Sequence, residues 1–479
     1  MNELDQHARN IPDIGATSLE NLRSVVRNGF QQWRDQLDEL VRIPSVSDPS
    51  FPQEKVKQSA QRVAELFREI GLETRIATAL KSDGEPGAPA VIAHRPPQPG
   101  KPTVLLYAHH DVQPPGDETV WSTPVFQPTE HEGRLYGRGA ADDKAGVIAH
   151  LAAIRALQSS DIDTGVGITV LIEGEEEIGS PSMQAFMAEN AASLRADAVI
   201  VADSLNVDVG KPAFTSSLRG LVDLTVEVKT LEQAGHSGLF GGPAPDALTA
   251  LSRLIATLHD ENGDVNVNGL LHNKDPDVAI DEDEWREAAQ ISDGVQLMGS
   301  GSLSHRLWAK PAIAVLGIDA PPVEGAANIL TPKASAKLSL RIPAGQDPQD
   351  AQIALTKHLH DNAPFGAQIH ITPGELGKPF RSPSEHKAVQ IAHESYETAW
   401  GERVAETGIG ASIPVVADFA EAFPDAAILI TGVEDPSSNA HAPNESVHIE
   451  DLEKVILSEA IFLAKMGLSE RPFSDTRNG

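Results

Sequence analysis

The chain has 479 residues, 69 of them acidic and 38 basic, for a formal charge of −31. That length exceeds a single ordinary core and implies two or more domains, and so acidic a surface repels phosphate backbones, which argues against nucleic-acid binding. Cysteine is absent, so disulfides, thiolate nucleophiles and cysteine-held zinc are excluded, and any metal must be held by His, Asp and Glu.

Residues 1–16 read as a polar arm without the basic stretch or apolar core of a secretory signal. No apolar run approaches the ~20 residues of a membrane helix, so a cytoplasmic protein is expected. Leu22, Val25, Val26, Phe30, Trp33, Leu37, Leu40 and Val41 fall at helical spacing and predict an amphipathic helix over 18–41. Ser18 is the expected N-cap, and Pro44 ends the helix by restricting the residue before it. A second helix is expected over 53–70, with Gly71 closing it. Strands follow at 73–77, 90–95 and 103–107, the last two joined by the turn Pro96–Gly100. A helix over 144–158, a strand over 167–173, a helix over 181–194 and a strand over 198–202 continue the alternation that implies an α/β layer fold. Near residue 213 the character changes. Residues 221–228 and 336–342 alternate as half-exposed strands, 245–258 and 350–362 read as helices, and 368–372 as a strand. Between them, 260–305 is polar and reads as an irregular excursion. After Pro379 the α/β pattern resumes with a helix over 384–400, a strand over 427–431 and a helix over 449–465. The expected organisation is a mixed-sheet α/β domain in two parts, 1–213 and 377–479, with an α+β unit inserted at 214–376.

Chemistry gathers around 104–146. The buried run Val104–Tyr107 ends in His109-His110-Asp111, and alternation along a strand puts His109 and Asp111 on one side. A histidine and a carboxylate at the mouth of a buried strand suit a metal ligand and its orienting partner. Asp142 and Asp143 precede Lys144, Glu175-Glu176-Glu177 caps the next strand, and Asp203 ends the one after. His441 lies in Asn439-Ala440-His441-Ala442-Pro443-Asn444-Glu445. In open α/β sheets the carboxyl edge of the strands is where sites form. Neighbouring residues of an extended segment point opposite ways, so Glu176 and Glu177 are free to take separate tasks. His110, His131, His150 and His305 stay unassigned, and Asp143 reads as structural.

Tyr136-Gly137-Arg138-Gly139 with Asp142-Asp143-Lys144, and Glu173-Gly174-Glu175-Glu176-Glu177 with Gly179-Ser180, resemble the co-catalytic zinc peptidase family that includes carnosinase, bacterial dipeptidases, aminoacylase, carboxypeptidase G and succinyl-diaminopimelate desuccinylase. The carnosinase-like dipeptidases are most similar, and the resemblance runs from Ile43-Pro44-Ser45 to Glu445. It implies that the catalytic domain carries an inserted lid and dimerisation domain. It implies two divalent ions per subunit, zinc first and manganese as the alternative, since both accept His and carboxylate ligands. By the same resemblance His109 binds one ion, Asp111 orients it, Asp142 bridges both, Glu176 is the general base, Glu177 and His441 complete one ion, and Asp203 completes the other. Ions about 3.5–4 Å apart share a hydroxide and clamp the tetrahedral intermediate. In the inserted unit His236 (Gly235-His236-Ser237-Gly238) resembles a lid histidine that reaches the other subunit's site. Asn328 and Arg341 resemble residues holding the substrate's carboxylate, and Ser412 in Gly410–Pro414 lies in the loop beside the carboxylate pocket. Ala145 replaces the glycine usual after this lysine.

The expected activity is therefore that of a homodimeric two-metal dipeptidase. An N-acyl-amino-acid deacylase or desuccinylase on the same metal centre is the alternative. A non-catalytic binding protein on this fold is disfavoured, because all five metal positions and Glu176 are present.

Overall fold

The apolar stripe of the first segment becomes a 26-residue helix, Ala16–Val41, that buries Leu22, Val26, Trp33, Leu37, Leu40 and Val41. Ser18 is not its cap: Gly15 occupies that position, with φ 77° and no side-chain cap, so the helix begins three residues earlier than a cap at Ser18 would allow. The computed structural model describes residues 11–471 apart from 163, 277 and 412, and not the side chains of 284 and 288. The next helix, Glu54–Glu69, is followed by Gly71 at φ +82°, a left-handed position glycine takes without strain.

The chain forms two compact units, one of 1–215, 382–407 and 414–479, the other of 216–381 and 408–413. In the first, six strands lie in the order 73–77, 90–95, 167–173, 103–109, 198–201, 427–430. The last four are mutually parallel, and the first two join antiparallel, so the sheet is mixed. Thr103–His109, Gly167–Glu173 and Ala198–Val201 are buried along their whole length, which explains why they read as continuous apolar runs. The helix Lys144–Ser159 packs on this sheet and is buried on nearly every side by Ala16–Val41 and Ile449–Leu468. A small sheet of Thr129–His131, Arg134–Tyr136 and Ser446–His448 ties the C-terminal segment to the loop before Asp142.

The second unit is a four-stranded antiparallel sheet in the order 312–319, 333–342, 220–229, 368–377. Val222, Leu224, Val226 and Val228 share a core with Leu338, Leu340 and Ile342 under the helices Ala247–Ala256 and Pro348–Asp361. Each such side chain contributes about 1.5–3 kcal/mol, and a slip of one residue would turn this set to the other face, so the register is strongly specified. Among the described residues the excursion over 260–305 holds the short helix Glu282–Ala288. It is pinned where Asp264 accepts hydrogen bonds from Lys310 (2.7 Å) and Ser300. Ala312–Asp319, which the sequence pattern passes over, is an edge strand with Leu316 and Ile318 exposed.

Candidate active site

The parallel strands of the first unit finish on one edge, and the loops that leave them carry the candidate residues. His109 is the last residue of its strand. Glu176 and Glu177 lie in a 3₁₀ turn, Glu176–Ile178, rather than the extended segment expected from sequence. The turn still separates their side chains, because successive residues there rotate by about 120°. It rests on Asp111, whose two carboxylate oxygens accept the backbone N–H groups of Glu176 (3.2 Å) and Glu177 (3.1 Å). Asp111 thus couples two loops. His109 Nδ1 lies 3.1 Å from the Asp111 carbonyl oxygen and 3.5 Å from its carboxylate. His441 sits on a loop where Asn439, His441 and Asn444 all have positive φ (52°, 62° and 64°). Such backbone outside glycine is uncommon and persists where surrounding bonds hold it.

These loops bring all seven candidates of the first unit together. Asp142 lies between the two histidines: Oδ1 is 3.0 Å from His109 Nε2 and Oδ2 is 2.9 Å from His441 Nε2. His441 Nε2 is also 3.1 Å from Glu177 Oε2. Ligand-type atoms of His109, Asp142 and Glu177 lie within 4.8 Å of one another, and so do those of His109, Glu176 and Asp203. His109 belongs to both groups. Its Nε2 is buried and faces the Asp142 carboxylate.

The electrostatics fit a cationic occupant. Five carboxylates (Asp111, Asp142, Glu176, Glu177 and Asp203) face two imidazoles. Burial first, then repulsion from Asp203 and Glu177, pushes Glu176 up to about 9. Burial, with Asp142 and Glu177, pushes Asp203 up to about 6. Burial also works to raise Asp142, but bonds to His109 and His441 hold it below its usual value. Hydrogen bonds to Asp142 and Glu177 raise His441 to about 11 against the opposing effect of burial. A donor set of carboxylates and imidazoles gathered around the buried His109 Nε2 suits hard to borderline divalent ions.

Two residues without an assigned role buttress this set. Gln113 holds Glu177 through its backbone N–H (3.0 Å to Oε1) and its side-chain amide (2.7 Å to Oε2). Glu445 closes the Asp142 loop: Oε2 accepts from Arg138 Nη1 (2.7 Å) and Gly139 N (3.0 Å), and Oε1 from Ala141 N (2.9 Å) and Asp142 N (3.1 Å). The available signal was position, since Gln113 follows Asp111 by two residues and Glu445 closes the His441 motif.

In the second unit, His236 and Asn328 meet. His236 pairs with Ile329, and Ser237 N donates to Asn328 O (3.0 Å). His236 Nδ1 accepts the Gly238 N–H at 3.1 Å, which places the proton of the neutral ring on Nε2. Arg341 lies on the long strand Lys333–Ile342, half-buried. Ser412 lies outside the described residues. Arg219, which sequence reasoning missed, is buried in this unit.

A mixed sheet whose strand ends gather histidines and carboxylates defines a metal-dependent hydrolase. The family model described as Peptidase family M20/M25/M40 matches residues 105–464, and the chain belongs to that family. It is 36% identical over 467 residues to the cysteinylglycine-S-conjugate dipeptidase of Corynebacterium striatum, covering 95% of this chain and 99% of that protein. It is 28% identical over 459 residues to the beta-Ala-His dipeptidase of Homo sapiens, covering 90% and 89%. Among solved structures it is similar to human carnosine dipeptidase 1 (TM-score 0.72, 24% identity, 95% and 99% covered). It is also similar to the M20 family metallo-carboxypeptidase Sso-CP2 of Sulfolobus solfataricus (TM-score 0.73, 26% identity, 91% and 99% covered). The resemblance read from the motifs, the mixed α/β fold and the peptidase class all stand.

Proposed function

We propose that the chain is a two-metal dipeptidase acting as a homodimer. The observation that carries this reading is Asp142, whose two oxygens each approach a different histidine at about 3 Å, the disposition a bridging carboxylate needs. His109, Asp142 and Asp203 would hold one ion, and Asp142, Glu177 and His441 the other, zinc being the first choice and manganese the second. Bound there, the ions supply Lewis acidity toward the scissile carbonyl and make a water more acidic. Asp111 fixes His109 and the glutamate turn. Glu176, held beside these ligands without a second carboxylate function, takes the proton of the attacking water and delivers it to the leaving amine. The dipeptidases named above support a dipeptide substrate with a free C-terminal carboxylate, for which Asn328, Arg341 and the loop of Ser412 are the candidate recognition groups.

The homodimer rests on the resemblance together with the exposed edge strand Ala312–Asp319, where Leu316 and Ile318 face outward. In such a dimer His236 would act on the partner's site, its Nε2–H aimed at the carbonyl oxygen on which negative charge develops. Dipeptides assayed against N-acyl amino acids, with elemental analysis of the same sample, test the function. Dipeptide turnover with two ions per subunit is expected. Turnover of N-acyl amino acids alone would favour the deacylase, and a fully active protein with no ion would end both readings.

A further inference from the structure

Arg219 is an arginine whose surroundings are incomplete. Only 8% of it is exposed. Its backbone N–H donates to Ile409 O (3.1 Å) and its Nε to Gly410 O (3.2 Å), so the guanidinium is held against the 408–413 loop. Gly410 makes this possible, since a Cβ there would come 2.6 Å from Arg219 Nη2. Nη1 is buried and has no hydrogen-bond partner among the described residues. The charged neighbour that acts on it is another cation, Arg341; burial first and then that repulsion lower Arg219 to about 10, which leaves it charged at neutral pH.

The register explains the pairing of like charges. Arg341 lies directly across from Leu221, and Ile342 across from Gly220. Arg219 stands two residues before Leu221, so it is a diagonal neighbour of Arg341 on the same face, a separation of about 7–8 Å in an ordinary ladder. That face is opposite the core formed by Val222, Leu224, Leu340 and Ile342. Taking a guanidinium out of water costs several kcal/mol unless an anion and hydrogen bonds compensate. Here a second guanidinium adds to the cost. Two neighbouring guanidinium groups carry donors enough for one carboxylate, whose two oxygens offer about four lone-pair sites.

We propose that Arg219 is a second carboxylate-binding residue, which together with Arg341 holds the C-terminal carboxylate of the substrate and makes the enzyme select free-acid dipeptides over their amides. This rests on the dipeptidase reading, in which that carboxylate is the one anion every substrate carries. The test compares alanylglycine with alanylglycinamide on the metal-loaded wild type, Arg219→Gln and Arg219→Lys. The wild type should prefer the acid. Arg219→Gln should lower kcat/KM for the acid by about 10–100-fold, the range of a lost charge-assisted hydrogen bond, chiefly through KM, while the amide changes less than about 3-fold. Arg219→Lys, which keeps the charge and loses the fork, should still lose most of the acid–amide ratio. Equal losses on acid and amide would mean a merely structural arginine and overturn the proposal, as would an unchanged ratio in either variant. If Arg219→Gln does not fold, the lysine variant carries the comparison. If neither folds, equilibrium binding to the wild type of an uncleavable dipeptide, its amide bond replaced by methylene-amine, is compared with that of its C-terminal amide. Equal affinities overturn the proposal and tighter acid binding supports it. If the wild type cleaves N-acyl amino acids but no dipeptide, the dipeptidase reading fails by itself. The same acid-to-amide ratio on N-acetylglycine then decides Arg219 separately.

Discussion

Glu445 offers the most direct test of how the site is built. Each of its oxygens accepts two donors: Arg138 and Gly139 on one, Ala141 and Asp142 on the other. Glu445→Gln keeps the shape but turns one oxygen into an NH₂ group. Whichever way the amide faces, two donors lose their acceptor and meet another donor. A buried donor left unsatisfied costs about 1–3 kcal/mol, so the loop before and including Asp142 should lose roughly 2–6 kcal/mol. Part of that appears as global stability, an apparent Tm lower by roughly 1–5 °C for a chain of this length. The rest appears at the metals, because the backbone of the carboxylate between His109 and His441 is no longer fixed. Differential scanning calorimetry with and without added zinc, and zinc titration against a competing chelator, measure the two parts. Weaker binding of both ions is expected, since Asp142 approaches both histidines. Arg138→Met removes only one of the four bonds to Glu445 and should have a smaller effect. An Glu445→Gln protein with wild-type melting and wild-type affinity for two ions would refute the view that these four bonds hold Asp142 in place.

Other substitutions separate the remaining roles. Glu176→Gln should keep its metal content and lose about 10²–10⁴ in turnover; near-normal activity in the fully metallated variant would remove Glu176 as the base. Asp142→Ala should lose both ions and His441→Ala mainly one, as elemental analysis reads directly; two tightly held ions in the Asp142 variant would place the bridge elsewhere. Mixing Glu176→Gln subunits with His236→Ala subunits should restore activity in the heterodimer toward half of wild type, with each parent nearly inactive. If exchange is verified and activity stays at the parents' level, His236 does not act across the interface. His150, buried, donates to Tyr107 O (3.0 Å) and pairs with Glu459 (2.8 Å). Burial works against its charge, but Glu459 outweighs it and raises His150 above 6.5. A raised folded value means the stabilisation is fully present below pH about 6.5 and is lost as pH rises through the folded value. Apparent Tm should therefore decline over that upward window in the wild type and less in His150→Gln; parallel profiles would count against it.

The parts of the fold legible in sequence were those where burial writes a period. Ala16–Val41 and Glu54–Glu69 each bury one side, and Gly220–Lys229 alternates because one face meets the second unit's core while the other does not. Pairs such as Gly235–His236 with Ile329–Leu330 are two residues long, too short to carry any period. Their existence depends on partners ninety residues away, so no local signal marks them. Ala312–Asp319 failed for a different reason: as an exposed edge strand it carries apolar residues outward, which neither a half-buried nor a fully buried pattern describes.

The same distinction runs through the site. His109, the glutamate run and Asp203 were legible as candidates because histidine and carboxylates are costly at the ends of buried strands, whereas Asp142 and His441, on loops, were candidates through motifs that resemble the peptidase family. Glu445 and Arg219 were opaque because their roles arise from meetings across the chain. Glu445 reaches the Asp142 backbone over 303 residues, and Arg219 reaches Gly410 over 191. Glu445 only closes the His441 motif and Arg219 carries no local mark; what makes each informative is a balance of donors and acceptors that only the folded chain displays. At Glu445 that balance is complete, four donors on two oxygens, and the result is a rigid support for Asp142. At Arg219 it is incomplete, with Nη1 unpartnered beside a second cation. A closed network fixes geometry, whereas a buried guanidinium without a partner calls for an anion, so Arg138 with Glu445 serves Asp142, and Arg219 beside Arg341 is where the proposed substrate carboxylate would bind.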